Sequence, residues 1–157
     1  MNIYSYQRPL GKIDDTPDLR HDFIAEYDAR SKEDMVRFGL LLGDHLLDIT
    51  GFEPCEEVRH TFANMRRWLD GQANYHESRS IDYGSLWKEA RAVGDLVKER
   101  FFRTMHQITC IPHCKYHALW ATDFAVTMIN RMFPGNMDEV RKEREAQLEL
   151  IRRVNVT

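Results

Sequence analysis

An all-α bundle of five or six helices is predicted by three features of this sequence. Apolar residues recur every three or four positions, helix-starting and helix-stopping residues bound those runs, and no alternating stretch is long enough for a strand. A chain of 157 residues can bury one core of ordinary size and is short for two, so a single domain is expected. With 43% hydrophobic and 30% charged residues, the composition is that of a globular protein rather than a disordered chain.

Residues 1–16 hold Pro9, Gly11, Asp14 and Asp15 without any period. They are predicted to form an irregular arm, anchored by Ile3, Tyr4, Tyr6 and Leu10 and dispensable for a helical domain over residues 17–157. Thr16 followed by Pro17 is a cap and a first-turn residue, and Leu19, Phe23, Ile24 and Tyr27 follow at helical spacing. Ser31 with Asp34 three positions on forms a capping box, and Met35, Phe38, Leu42, Leu46 and Ile49 make the stripe of a second helix ending near Gly51. Pro54 opens a third helix, which Val58, Phe62, Met65 and Leu69 carry to a stop at Gly71.

The stretch Gln72 to Gly84 is polar and aperiodic and reads as the longest internal loop. Beyond it, Leu86, Ala90, Val93, Val97, Phe101, Met105 and Ile108 predict one long central helix. Pro112 forces a kink or a new helix, because it lacks a backbone donor and crowds the preceding turn. His113, His117, Ala121, Phe124, Met128 and Met132 then share a face until Pro134 and Gly135. Trp68 and Phe124 lie beside these apolar stripes and are predicted core residues. Asn136 with Glu139 starts a last helix whose dense charges predict a cover over the outside of the bundle.

Several function classes are disfavoured. The net charge of −3 comes with no cluster of Lys and Arg, which argues against a nucleic-acid partner. No run reaches the length of a membrane span, and residues 1–10 lack the apolar stretch of a signal peptide. Cys55, Cys110 and Cys114 read as free thiols in a reducing compartment, so a cytoplasmic protein is expected. No heptad seam specifies an oligomeric state.

The cluster His106, Cys110, His113, Cys114 and His117 is where chemistry would be sought. His113 and His117, four apart, have the spacing by which two imidazoles share an ion such as Zn or Ni. His45 could complete a three-histidine site similar to the DinB-like metal-binding bundles, with an open position for catalysis. The alternative, that both are packed residues with hydrogen-bonded rings and no cofactor is bound, takes precedence because no paired CxxC motif accompanies them and Pro112 disturbs the helix. Glu57 and His60 form one E-x-x-H unit where a di-iron centre needs two. His76 and Glu77 lack zinc-protease spacing, and no phosphate loop, dinucleotide fingerprint or nucleophile elbow is present. Asp44 with Asp48, and Arg66 with Arg67, read as helix-surface charges. No catalytic residue is assigned.

Two stretches carry a family resemblance. RRWLDG, with Arg66, Trp68 and Gly71, is similar to an R-x-W-x-x-G pattern, and HCKYHALWATDFA, from His113 to Ala125, is similar to H-x-x-x-H-A followed by small residues and an aromatic-Ala pair, here Phe124 and Ala125. Both resemble the immunity protein family of bacterial polymorphic toxin systems, and the likeness runs from about Met35 to Ile151. The sequence departs from that pattern at Ile111, Pro112 and the PCEEVR segment. The resemblance implies an all-α, non-catalytic protein that neutralises a cognate protein toxin through an acidic or mixed-charge surface. The matching positions Arg66, Trp68, Gly71, His113, His117 and Phe124 are expected to serve structure rather than toxin contact.

Overall fold

The computed structural model describes residues 10–155; the anchoring expected of Ile3, Tyr4 and Tyr6 lies outside that range. Among the described residues it is all helical, with eight segments, one of which has only five residues. They are α1 (Pro17–Asp28), α2 (Lys32–Thr50), α3 (Glu56–Leu69), α4 (Tyr75–Arg79), α5 (Gly84–Ala92), α6 (Leu96–Thr109), α7 (Tyr116–Met132) and α8 (Met137–Arg153).

Local signals set many of these boundaries. Pro17 opens α1, and the Ser31 hydroxyl accepts from the Asp34 backbone N–H at 3.1 Å while the Asp34 carboxylate accepts from the Ser31 N–H at 3.2 Å, closing the capping box of α2. Gly51 ends α2 in the left-handed region at φ 70°, where a side chain would be strained. α2 then runs through the middle of the molecule and touches α3, α6, α7 and α8. Its Gly43 makes the crossing with α3 possible, because a Cβ there would stand 2.5 Å from the Phe62 ring.

Three expectations are corrected. The helix predicted from Leu86 to Ile108 is two helices, broken at Val93, Gly94 and Asp95. Gly94 takes φ 78°, and the Asp95 carboxylate caps α6 by accepting from Lys98 N–H at 3.0 Å. The apolar spacing continued across the break, but a glycine followed by an N-cap residue is a stop and a start. The predicted loop from Gln72 to Gly84 holds α4, capped by Asn74, and is tied to α3 where the Asn64 amide donates to Ser78 Oγ. Tyr83 at its end is fully buried, its hydroxyl sharing a hydrogen bond with Thr61 Oγ1 at 2.6 Å. These two corrections raise the expected five or six helices to eight. Third, α8 is more than an outer cover: beneath its exposed Arg141, Lys142, Glu145 and Glu149, the polar Glu143, Arg144 and Gln147 are buried beside Val140, Leu148 and Ile151.

The core collects Phe23, Phe38, Leu42, Met65, Met105 and Ile151 among others, and α7 is buried on nearly every side. Of the two predicted core aromatics, Phe124 is buried at 6% exposure, whereas Trp68 is half-buried at the core edge with the Lys32 ammonium 5.4 Å from its ring. No helix of the described residues is long and apolar enough to cross a membrane.

Candidate functional site

His106, Cys110, His113, Cys114 and His117 gather where α6 gives way to α7. Pro112 cannot continue α6, which ends at Thr109, and the chain turns through Cys110 to Lys115 before α7 begins at Tyr116. Backbone bonds from His113 and Cys114 N–H to the Cys110 carbonyl, at 3.0 and 3.2 Å, hold the turn, and buried Ile111 and Pro112 pin it to the core. His113 therefore precedes α7 instead of sharing its face.

The turn lays out a series of rings. His113 stacks on Tyr75 of α4 at 4.9 Å between centroids and lies 6.1 Å from His117, which meets Trp120 edge-on at 5.5 Å. Tyr116 and Trp120, one turn apart, are 4.5 Å from one another. His106 sits 5.3 Å from Trp87 of α5, and Arg103 lies over the same indole at 5.0 Å. These residues are half-buried, so the rings form one skin across α4, α5 and the α6–α7 junction.

The electrostatics of this skin disfavour nucleophilic chemistry. Burial, with repulsion from His113 and His106, pushes the His117 imidazole down to about 4, and burial lowers His106. Burial pushes the Cys110 thiol up to about 11. His106 Nε2 is 4.0 Å from Cys110 Sγ, but a thiolate–imidazolium couple needs a lowered thiol and a raised imidazole. Both shifts run the other way. His117 Nδ1 donates to Gln107 Oε1 at 2.8 Å, which selects the neutral tautomer with its proton on Nδ1.

The three-histidine arrangement is not assembled. His45 on α2 gives its Nε2 to the Glu143 carboxylate of α8 at 2.7 Å, while His113 stacks on Tyr75 and His117 meets Trp120 edge-on. Among the described residues no three His, Cys, Asp or Glu side chains converge as metal donors. Burial would lower the His45 imidazole, but the bond and charge of Glu143, with the charge of Asp48, outweigh it and raise it.

The remaining motif residues lie near the end of α3 and within α7. Arg66 lies over the Phe62 ring at 5.8 Å, and Gly71 at φ 73° donates to the Trp68 carbonyl at 3.0 Å as α3 ends. Phe124 is buried in α7.

Sequence reasoning missed a buried ionic network. The Arg144 guanidinium, fully buried on α8, donates to Asp15 and Asp123 carboxylates, each at 2.7 Å at its shortest, and Arg20 also pairs with Asp123 at 2.9 Å. Gln147 extends the chain to Glu143, and Glu143 to His45. Asp123, a lone acid within the apolar run of α7, was the available sequence signal.

The sequence model of the family described as Imm-5 like putative immunity protein matches residues 25–153. No curated protein and no solved structure matches the chain.

Proposed function

The chain belongs to the family described as Imm-5 like putative immunity protein, and on that premise we propose that it is a non-catalytic binding protein that neutralises a cognate toxin by occupying it. The family match, which extends from within α1 to the last residue of α8, is the observation that carries this reading. The chemistry of the ring skin supports it in one respect, since burial raises the Cys110 thiol to about 11 and so disfavours the nucleophilic thiolate. Binding in this reading rests on steric cover and charge complementarity, with no turnover.

The test is co-expression with the product of the adjacent reading frame. Growth arrest by that product, relief by this chain, and co-elution of the pair on size exclusion are expected. Undiminished arrest with no complex would refute the proposal.

A further inference from the structure

The break between α5 and α6 leaves an apolar elbow in solvent. Val93 is 77% exposed and Leu96 40% exposed, on either side of Gly94. Val93 gains little there from folding, and Leu96 leaves two-fifths of its surface in water. Beside them lies a groove of about 310 Å³ between the α2–α3 connection, α5 and the start of α6. Half-buried Phe52 forms its aromatic wall and rests on the buried Phe101 and Phe102, with Phe52 edge-on to Phe101 at 5.2 Å and Phe101 to Phe102 at 5.5 Å.

The rim carries Glu53, Glu89 and Asp95 against a single ammonium, that of Lys98. Glu53 and Glu89 have no ion-pair partner among the described residues. The Lys98 ammonium lies 5.8 Å from the Phe52 ring centroid, so the wall already receives a cation on an aromatic face. Phenyl faces accept the methylene stem of a long basic side chain, and carboxylates at the edge accept its head. An acidic or neutral segment would leave the rim charges unrelieved on docking.

We propose that this groove is a docking surface for a basic, apolar segment of a protein partner, with an arginine or lysine stem lying on Phe52 and Leu86, its head at Glu53 and Glu89, and apolar neighbours covering Val93 and Leu96. The assignment of the partner as the toxin rests on the neutralisation reading above; the chemistry of the groove does not. The arrangement is that of an interface centre, an apolar pocket with a charged rim that excludes water once covered.

Two measurements test it, using Glu89→Lys and Val93→Lys, which alter exposed side chains, and Asp44→Lys on the α2 surface as a control. The first is an NMR titration of the full chain with acetyl-Leu-Arg-Leu-Arg-amide and with its glutamate counterpart. Saturable shifts centred on Phe52, Glu89 and Val93 with the arginine peptide alone, abolished by Glu89→Lys, are expected. Equal response to both peptides, no response, or shifts centred on Asp44 and Asp48 overturn the proposal. The second is the affinity of the adjacent-frame product, which should fall about thirtyfold in each groove variant and stay unchanged in Asp44→Lys. Unaltered affinity in the groove variants overturns the groove as the toxin's surface while leaving neutralisation intact. Absence of binding by the wild type refutes neutralisation, and the peptide titration still decides the groove.

Discussion

Asp15 and Arg144 are 129 positions apart in sequence and joined by two hydrogen bonds, Nε to Oδ1 at 2.9 Å and Nη2 to Oδ2 at 2.7 Å. This fork ties the segment ahead of α1 to a fully buried guanidinium on α8. The segment therefore supplies a counterion to the core, and we predict that, against the expectation of dispensability, its loss costs stability. Asp15→Asn should destabilise the fold by about 2–3 kcal/mol, since Arg144 keeps Asp123 but loses one compensating charge. A truncation beginning at Thr16 should cost at least as much. Chemical denaturation midpoints equal to wild type would show that water replaces the Asp15 carboxylate without penalty.

Two histidines give stability opposite pH dependences. The His117 imidazole is pushed from 6.5 to about 4 in the fold, so the unfolded chain binds the extra proton between those values. Stability should rise with pH across that window, by roughly 2 kcal/mol once partial exposure is allowed for. The His45 imidazole is raised above 6.5, so its contribution is complete below 6.5 and is lost as pH rises through the folded value. Denaturation at stepped pH should find the acid-side slope reduced in His117→Gln and the decline above 6.5 reduced in His45→Gln. Unchanged slopes in both variants would overturn these assignments.

The α2–α3 crossing should be intolerant of one methyl group. At Gly43 a Cβ would meet Phe62 Cε1 at 2.5 Å and Cζ at 2.8 Å, atoms of a flat, buried ring. At Gly39 it would meet Ile111 Cδ1 at 2.7 Å and Met65 Cε at 2.9 Å, the free ends of side chains that can turn away. Gly43→Ala should lose about 1–3 kcal/mol, and Gly39→Ala less. The reverse order in thermal unfolding would mean that the helices separate more readily than the Phe62 contact implies.

Burial ranks the two aromatics first read as core. Phe124→Ala should destabilise by about 3–5 kcal/mol, and Trp68→Ala by less, about 1–2 kcal/mol, because part of the indole already meets water at the core edge. Equal losses on urea denaturation would place Trp68 deeper than its half-buried site.

The starts of α1, α2 and α8 were legible because their signals are short range: Pro17 presets a backbone angle, Ser31 and Asp34 satisfy one another's amides, and Asn136 accepts from Asp138 and Glu139 N–H. The α5–α6 break was encoded just as locally, in Gly94 and Asp95, but the apolar period of Val93 and Val97 outweighed it in the reading. Exposed Val93 shows why period alone misled: the interrupted helix no longer turns that position inward.

By itself the sequence determined an all-helical chain with these starts, a turn at Pro112 and the motifs of the family, since each depends on residues within a few positions of one another. Tertiary structure alone decided which polar groups go inside. Arg144 looked like one charge among many on α8 until Asp15 and Asp123 were brought to it, and His45 looked like a metal donor until Glu143 took its Nε2. A charge is buried only where distant segments supply its counterions, and that supply depends on how helices cross, which no local spacing specifies.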